Sequence, residues 1–311
     1  MRLLKNNSEL QPPKKKPSRR LMKEYIAGYA FILPLVIGLG GFYFYGLVKV
    51  IIDSFYNVGA FNVSSFAGIS NYVKMWEDPD MWRSLGNTIK YVLIIAPCMI
   101  IFSLVLANFL NMKIKGRTFF RTVYFIPSIT MSAAVAMVWK WLYNGDYGLI
   151  NAIFGVFGSG PFNYLSQTNN FPIICISIVQ IWMSAGYNMI ILLGGMQNIS
   201  KTYYEAAAID GAGEVKKFFS ITIPMISPTL FFVMMMTIIN TFQTFDIIYL
   251  MIERISPAVP YTDSLIVYFY RNAFMYSKKG YASAIAVLLF VIIMVISMIQ
   301  MKLQKKWVIY D

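Results

Sequence analysis

Residues Tyr203 to Pro224 read YYEAAAIDGAGEVKKFFSITIP. The stretch is polar and rich in alanine and glycine, yet long apolar runs flank it on both sides. Ser200 can cap a helix that starts near Lys201. Lys201 and Glu205 stand four apart and can pair, though in the less favourable order. Ala206, Ala207 and Ala208 are strong helix formers with almost no side chain. Asp210-Gly211-Ala212-Gly213 then offers a break where the backbone can turn with positive φ. A second short helix, Glu214 to Ser220, leads to Ile221. Pro224 falls in the first turn of the next apolar segment, where a missing N–H costs little. The expected product is a helix–turn–helix whose small face can sink into a groove on another protein, with Glu205 and Asp210 meeting a basic partner. An ordinary surface loop is the alternative.

The surroundings of this loop are built for lipid. Of 311 residues, 58% are hydrophobic and 13% charged, against about 45–50% and about 25% in a soluble domain. Such a surplus has no soluble core to fill and points to a multi-span membrane protein. Six apolar segments are long enough to cross, near 25–52, 87–111, 119–142, 172–195, 222–250 and 281–303. The first carries Pro34 and the cluster Gly38, Gly40 and Gly41; the third opens on FIPSITMSAA, whose small residues admit a close helix neighbour. The sequence has no histidine, which removes the commonest general base and metal ligand. Cys98 and Cys175 lie far apart inside apolar runs and suggest neither a zinc site nor a disulfide. No GxxxxGK[ST] string and no working acid pair are present, so the chain reads as non-enzymatic and without a bound cofactor of its own.

Charge gives the expected orientation. Residues 1–24 form a basic tail with KKKPSRR, which reads as an anchor at the cytoplasmic face rather than a nucleic-acid patch. The loop after the second span carries Lys113, Lys115, Arg117 and Arg121, and the opening stretch carries Lys201, Lys216 and Lys217. Residues 53–86 and 143–171 are poor in basic residues, whereas 251–280 holds Arg254, Arg271, Lys278 and Lys279 and fits less well. The sum places both termini, including the tail at 304–311, in the cytoplasm, with a six-span transmembrane domain at 25–303 and its cytoplasmic loop at 200–221. Outside, Ile69, Tyr72, Val73 and Trp76 suit a short amphipathic helix that Asp78-Pro79 ends.

The loop also resembles a known family. Membrane subunits of binding-protein-dependent ABC importers carry Glu-Ala-Ala, three residues, Gly, nine residues, then Ile-x-Leu-Pro. Here the string is Glu205-Ala206-Ala207, Gly211, and Ile221-Thr222-Ile223-Pro224, with every spacing kept and Ile223 in place of Leu. Together with Asp210 and Ala212, EAAAIDGAG resembles the carbohydrate branch. GYAFILPLVIGL, GISNYVKMWEDPDMWRSLGNTIKY and the ending KKWVIYD are similar to the first partner in maltose- and glycerol-phosphate-type systems. The resemblance covers nearly the whole chain from about residue 22. It implies a six-helix all-α fold of the type I importer kind in a bacterial cytoplasmic membrane. It also implies a second, similar permease, two ATPase subunits that hold ATP-Mg, and an extracytoplasmic binding protein that delivers a sugar.

A sugar path needs polar residues inside the spans, because hydroxyls that lose water need partners. The fourth segment offers Gln180, Trp182, Met183, Ser184, Tyr187 and Asn188; the fifth offers Thr237, Asn240, Thr241, Gln243 and Thr244. The resemblance places Gln180, Met183, Ser184, Tyr187, Thr237 and Thr241 near the family's sugar contacts. Such residues also bridge helices within membranes, so either role is open for each. Asp246 is either a functional charge within a span or a solvated residue near the outer mouth. The absence of cations in spans four and five favours a neutral mono- or oligosaccharide. An acidic sugar, a non-sugar substrate and an ion-coupled secondary transporter remain as alternatives.

Overall fold

The structure, a computed structural model, describes residues 19–58, 64–112, 114–158 and 160–309. The expected basic tail up to residue 18 and the last two residues of the carboxyl tail lie outside that range, as does Lys113. The described residues fall into two compact units, divided between Val50 and Ile51.

In the first unit, α1 (Arg19–Gly38) passes through a π-helical turn at Leu39–Phe44 into α2 (Tyr45–Asp53). The turn coincides with Gly40 and Gly41, which cost a helix rigidity and let it widen. Met22–Asp53 is apolar and long enough to cross a membrane.

The second unit opens with a small hairpin, β1 (Tyr56–Val58) against β2 (Ser64–Phe66), antiparallel with Asn57 opposite Ser65. This hairpin is the one departure from an all-α chain among the described residues. Then come α3 (Ser70–Glu77) and α4 (Pro79–Asn111). Asp78 separates them as expected: Pro79 has no N–H to continue α3, and the Asp78 carboxylate accepts from the first amides of α4. α5 (Arg117–Ile129) and α6 (Ser132–Leu142) follow, then α7 (Leu149–Val156) and α8 (Phe171–Gln197). The Tyr203–Pro224 stretch holds α9 (Lys201–Ile209), α10 (Glu214–Lys217), a π-helical turn at Phe218–Thr222 and the start of α11 (Ile223–Met225). α12 (Ser227–Phe242), α13 (Asp246–Met251), α14 (Val259–Thr262), α15 (Leu265–Tyr270), a third π turn at Arg271–Met275 and α16 (Lys279–Gln304) complete the chain.

Membrane crossing differs in detail from six plain helices. α4, α8 and α16 qualify as unbroken spans alongside Met22–Asp53, making four; two further crossings exist only if bent pairs are joined. α5 and α6 are bent by 98°, because Pro127 lacks a donor and Thr130 and Met131 adopt extended backbone. The segment expected over 222–250 is also broken. It bends by 73° near Ile226 and ends at Phe242, where Gln243 leaves the helix. Asp246 therefore opens a separate short helix, exposed and outside the span.

α4 packs along α8, α8 also receives α5, and α12 lies against α4. Chain direction gives this bundle two ends. α4 and α8 run toward the Tyr203–Pro224 loop and α12 and α16 begin or end there. One apolar cluster, with Leu110, Leu192, Met196 and Val233, fills the loop end. Two others fill the far end, around Tyr91 and Ile176 and around Met81 and Ile285.

Candidate functional site

Helices α4, α5, α8 and α12 enclose a cavity of about 170 Å³ midway between the two ends. Gln180, Met183, Ser184, Tyr187 and Asn188 reach it from α8, and Thr237, Asn240 and Thr241 from α12; Met99 and Ser128 complete the wall. Every one of these side chains is uncharged. Some polar groups are already used. Gln180 donates to Ser184 Oγ at 3.4 Å, Asn188 to Thr237 Oγ1 at 3.1 Å, and Thr241 to the Thr237 carbonyl at 2.7 Å. Among the described residues, no protein partner bonds the Tyr187 hydroxyl or the Asn240 amide group, and both residues are exposed. The cavity thus offers donors and acceptors to a neutral polar ligand and no counter-charge to an ionic one.

Eight of the eleven residues expected on the path meet in this cavity. The other three do not line it. Trp182, half-exposed, lies edge-on to Trp139 of α6 with ring centroids 5.7 Å apart. Gln243 is exposed past the end of α12. Thr244 is buried in the far-end packing, donating to the Asn240 carbonyl and accepting from Ser264 at its own carbonyl. Met99 and Ser128 come from segments whose apolar composition hid them. The only sequence signal was the small-residue run after Phe125, which marked a close helix neighbour.

Close approach is what brings Ser128 there. A Cβ on Gly186 would stand 1.9 Å from the Tyr124 carbonyl oxygen, so only glycine lets α5 rest on the α8 backbone. Ser128 then donates to the Met183 carbonyl at 2.9 Å and accepts from the Tyr187 amide at 3.1 Å.

About 20 Å further along α8, at ~1.5 Å per residue, stands the polar loop. Ser200 caps α9 through the Thr202 amide at 3.4 Å. The turn after α9 is a Schellman motif: Ala212 N–H donates to the Ala207 carbonyl and Gly211 N–H to the Ala208 carbonyl, with Gly211 at φ +74°. No ion pair joins Lys201 to Glu205; Lys217 pairs with Glu214 instead, at 2.9 Å. α10 is shorter than the helix expected to Ser220, since the π turn begins at Phe218. Tyr204 and Thr222 share a hydroxyl bond of 2.9 Å that braces the two arms. Glu205, Ala206, Asp210 and Gly211 are exposed, whereas Ala207, Ala212, Ile221 and Pro224 are half-buried. Ile209, Val215 and Phe219 also face outward, an apolar display a free-standing loop would not keep.

The far end is held by polar side chains. Asp78 accepts from Tyr268 at 2.5 Å and from Tyr281. Burial alone would raise its carboxyl, but these bonds and two from the α4 amides hold it below the usual range. Asp263 and Arg271 form a buried pair at 3.0 Å. Asp263 lies outside every candidate span, and burial pushes it up to about 7 against the pull of Arg271.

Residues 81–310 match the family of binding-protein-dependent transport system inner membrane components. The chain is 34% identical to the probable ABC transporter permease protein YesP of Bacillus subtilis, over 95% of this chain and 96% of that one. It is 32% identical to the arabinooligosaccharides transport system permease protein AraP of the same organism, over 89% and 88%. Its fold is similar to that of a chain in the crystal structure of a bacterial alginate ABC transporter in complex with an alginate pentasaccharide-bound periplasmic protein, with TM-score 0.82, 19% identity and coverage of 92% and 96%.

Proposed function

The chain belongs to the binding-protein-dependent transport system inner membrane components, and from that premise we propose that it passes a neutral mono- or oligosaccharide across a bacterial cytoplasmic membrane. As an ABC-transporter permease it is a membrane subunit and not an enzyme. In this reading a second, similar permease supplies the opposite wall of the path. An extracytoplasmic binding protein brings the sugar to the far end. Two ATPase subunits, which hold the ATP-Mg, dock against the Glu-Ala-Ala loop in the cytoplasm, where both termini also lie.

The observation that carries this reading is that one pair of helices, α8 and α12, bears both the uncharged cavity and the two roots of the exposed loop. A push on the loop is therefore delivered to the cavity walls along the unbroken α8, across the bend near Ile226 into α12, and through the packed cluster around Leu192 and Val233. Alternating access follows when that push exchanges two arrangements of α8 and α12 around the sugar. Glu205 and Asp210 give the loop its acidic contacts, and Ile209, Val215 and Phe219 its apolar ones. The neutral lining favours an uncharged sugar, which fits a relative named for arabinooligosaccharides.

The test is uptake in vesicles that hold this chain, its partner permease, the ATPase and the binding protein. Uptake of a neutral sugar should need ATP inside and the binding protein outside. Glu205→Lys should stop it while the chain stays in the membrane. Uptake that survives ATP depletion and collapses with a protonophore would establish the ion-coupled alternative.

A further inference from the structure

The Ser128 hydroxyl bonds both ends of a single rung of α8. In an unbroken helix the N–H of one residue meets the carbonyl four before it, so the Met183 carbonyl and the Tyr187 amide are natural partners. Ser128 reaches both, donating to the first at 2.9 Å and accepting from the second at 3.1 Å. A side chain set into the ladder from outside is a known cause of local bending. Gly186 makes the approach possible, since any Cβ there would strike the α5 backbone. α5 ends one residue after Ser128, beyond Pro127, so the hydroxyl is delivered from the tip of a rigid element. Both residues of the rung line the cavity, and so does Ser128.

We propose that Ser128 is a specificity-determining positioning residue of the sugar path. Through this rung it fixes the setting of Met183 and Tyr187, and with them the pattern of sugar hydroxyls that the α8 wall accepts. The proposal rests on the sugar-permease reading above. The chemistry of the hydroxyl adds a constraint. Its one proton goes to Met183 and one lone pair to Tyr187, which leaves a single lone pair. A ligand that reaches Ser128 must therefore present a donor. Removing the hydroxyl takes away both bonds, leaves the rung to the α8 backbone alone and resets the wall.

The experiment compares Ser128→Ala and Ser128→Thr with the wild type in the complete transporter, using two readouts. One is hydrogen exchange of the backbone around Tyr187. The other is the ratio of kcat/KM between two neutral sugars delivered by the binding protein. Ser128→Ala should change the exchange and shift the ratio by about three- to tenfold, carried mainly in KM, the scale of one hydrogen bond. Ser128→Thr, which keeps the hydroxyl, should restore both. Should the alanine variant fail to assemble, Ser128→Cys carries the same comparison with a much weaker donor. An unchanged ratio in a variant that still imports, or no rescue by threonine, overturns the proposal alone. A wild-type transporter that imports no neutral sugar instead overturns the permease reading and takes this proposal with it.

Discussion

The two ends of the bundle are held together by different means. At the loop end, order is mostly local: a serine cap, a Schellman closure and one Tyr204–Thr222 bond lie within the 23 residues from Ser200 to Thr222, above an apolar cluster, and the Ile309 amide donating to Ser227 Oγ at 2.9 Å is a remote tie. At the far end, order is remote. Asp78 binds Tyr268 and Tyr281, partners 190 and 203 positions away. Asn87 donates to the Pro260 and Asp263 carbonyls, Thr88 receives the Leu265 amide, and Tyr91 donates to the Thr262 carbonyl. An end stitched by long-range polar bonds resists opening piecemeal, because each lost bond leaves a buried group unpaired. An end that is self-contained can be displaced as a body without unravelling.

The largest test of this contrast is Asp263→Ala, which leaves Arg271 buried without its partner and should cost about 3–5 kcal/mol of far-end stability. Thermal unfolding in detergent measures it, and an unchanged midpoint would remove the far end's claim to polar stitching. The same pair sets a pH dependence. Asp263 is held at about 7, above its ordinary 3.8, so its folded form binds a proton more tightly than its unfolded form. That contribution is complete below about 3.8 and is lost as pH rises through about 7. The wild type should therefore gain stability between pH 8 and pH 5 relative to Asp263→Asn.

Two glycines sharpen the contrast. A Cβ on Gly280 would sit 1.9 Å from the Tyr56 carbonyl oxygen, so Gly280→Ala should cost about 1–3 kcal/mol through overpacking. Gly213, at the loop end, has open space around it and φ of −70°, so Gly213→Ala should leave the same midpoint unmoved. Gly211→Ala also meets open space, but its positive φ should cost about 1–2 kcal/mol within the loop. Its signature should be reduced ATP-coupled uptake with an unaltered global midpoint. If the midpoint falls as well, the loop is not self-contained. Ser200→Ala is the smallest change, about 0.5 kcal/mol given the long 3.4 Å cap bond, read as faster amide exchange in α9.

Legibility in the sequence follows the same division. The loop could be read almost bond by bond, since its cap, its alanines and its Gly211 turn act on near neighbours. Two features were missed: the length of the second arm, because nothing local marks a π turn at Phe218, and the ion pairing, which joins Lys217 to Glu214 rather than Lys201 to Glu205. The cavity was partly legible. Polar residues on α8 and α12 stand out against apolar spans, but Gln243 and Thr244 lie past a helix that stops at Phe242. Ser128 enters only because Gly186 admits α5 at Tyr124, a contact between residues 62 apart that no local rule contains. The pairings of Asp78 and Asn87 were illegible for the same reason.

The edge-on pair of Trp139 and Trp182 gives the molecule an optical gauge. Two indoles 5.7 Å apart and inclined at 67°, one on α6 and one on α8, couple their excited states with a strength set by distance and angle. Any motion of α6 against the helix that carries the cavity should therefore appear in near-ultraviolet circular dichroism and tryptophan emission. The transport cycle could then be followed without attaching a dye, and Trp139→Phe would identify the part of the signal that belongs to the pair.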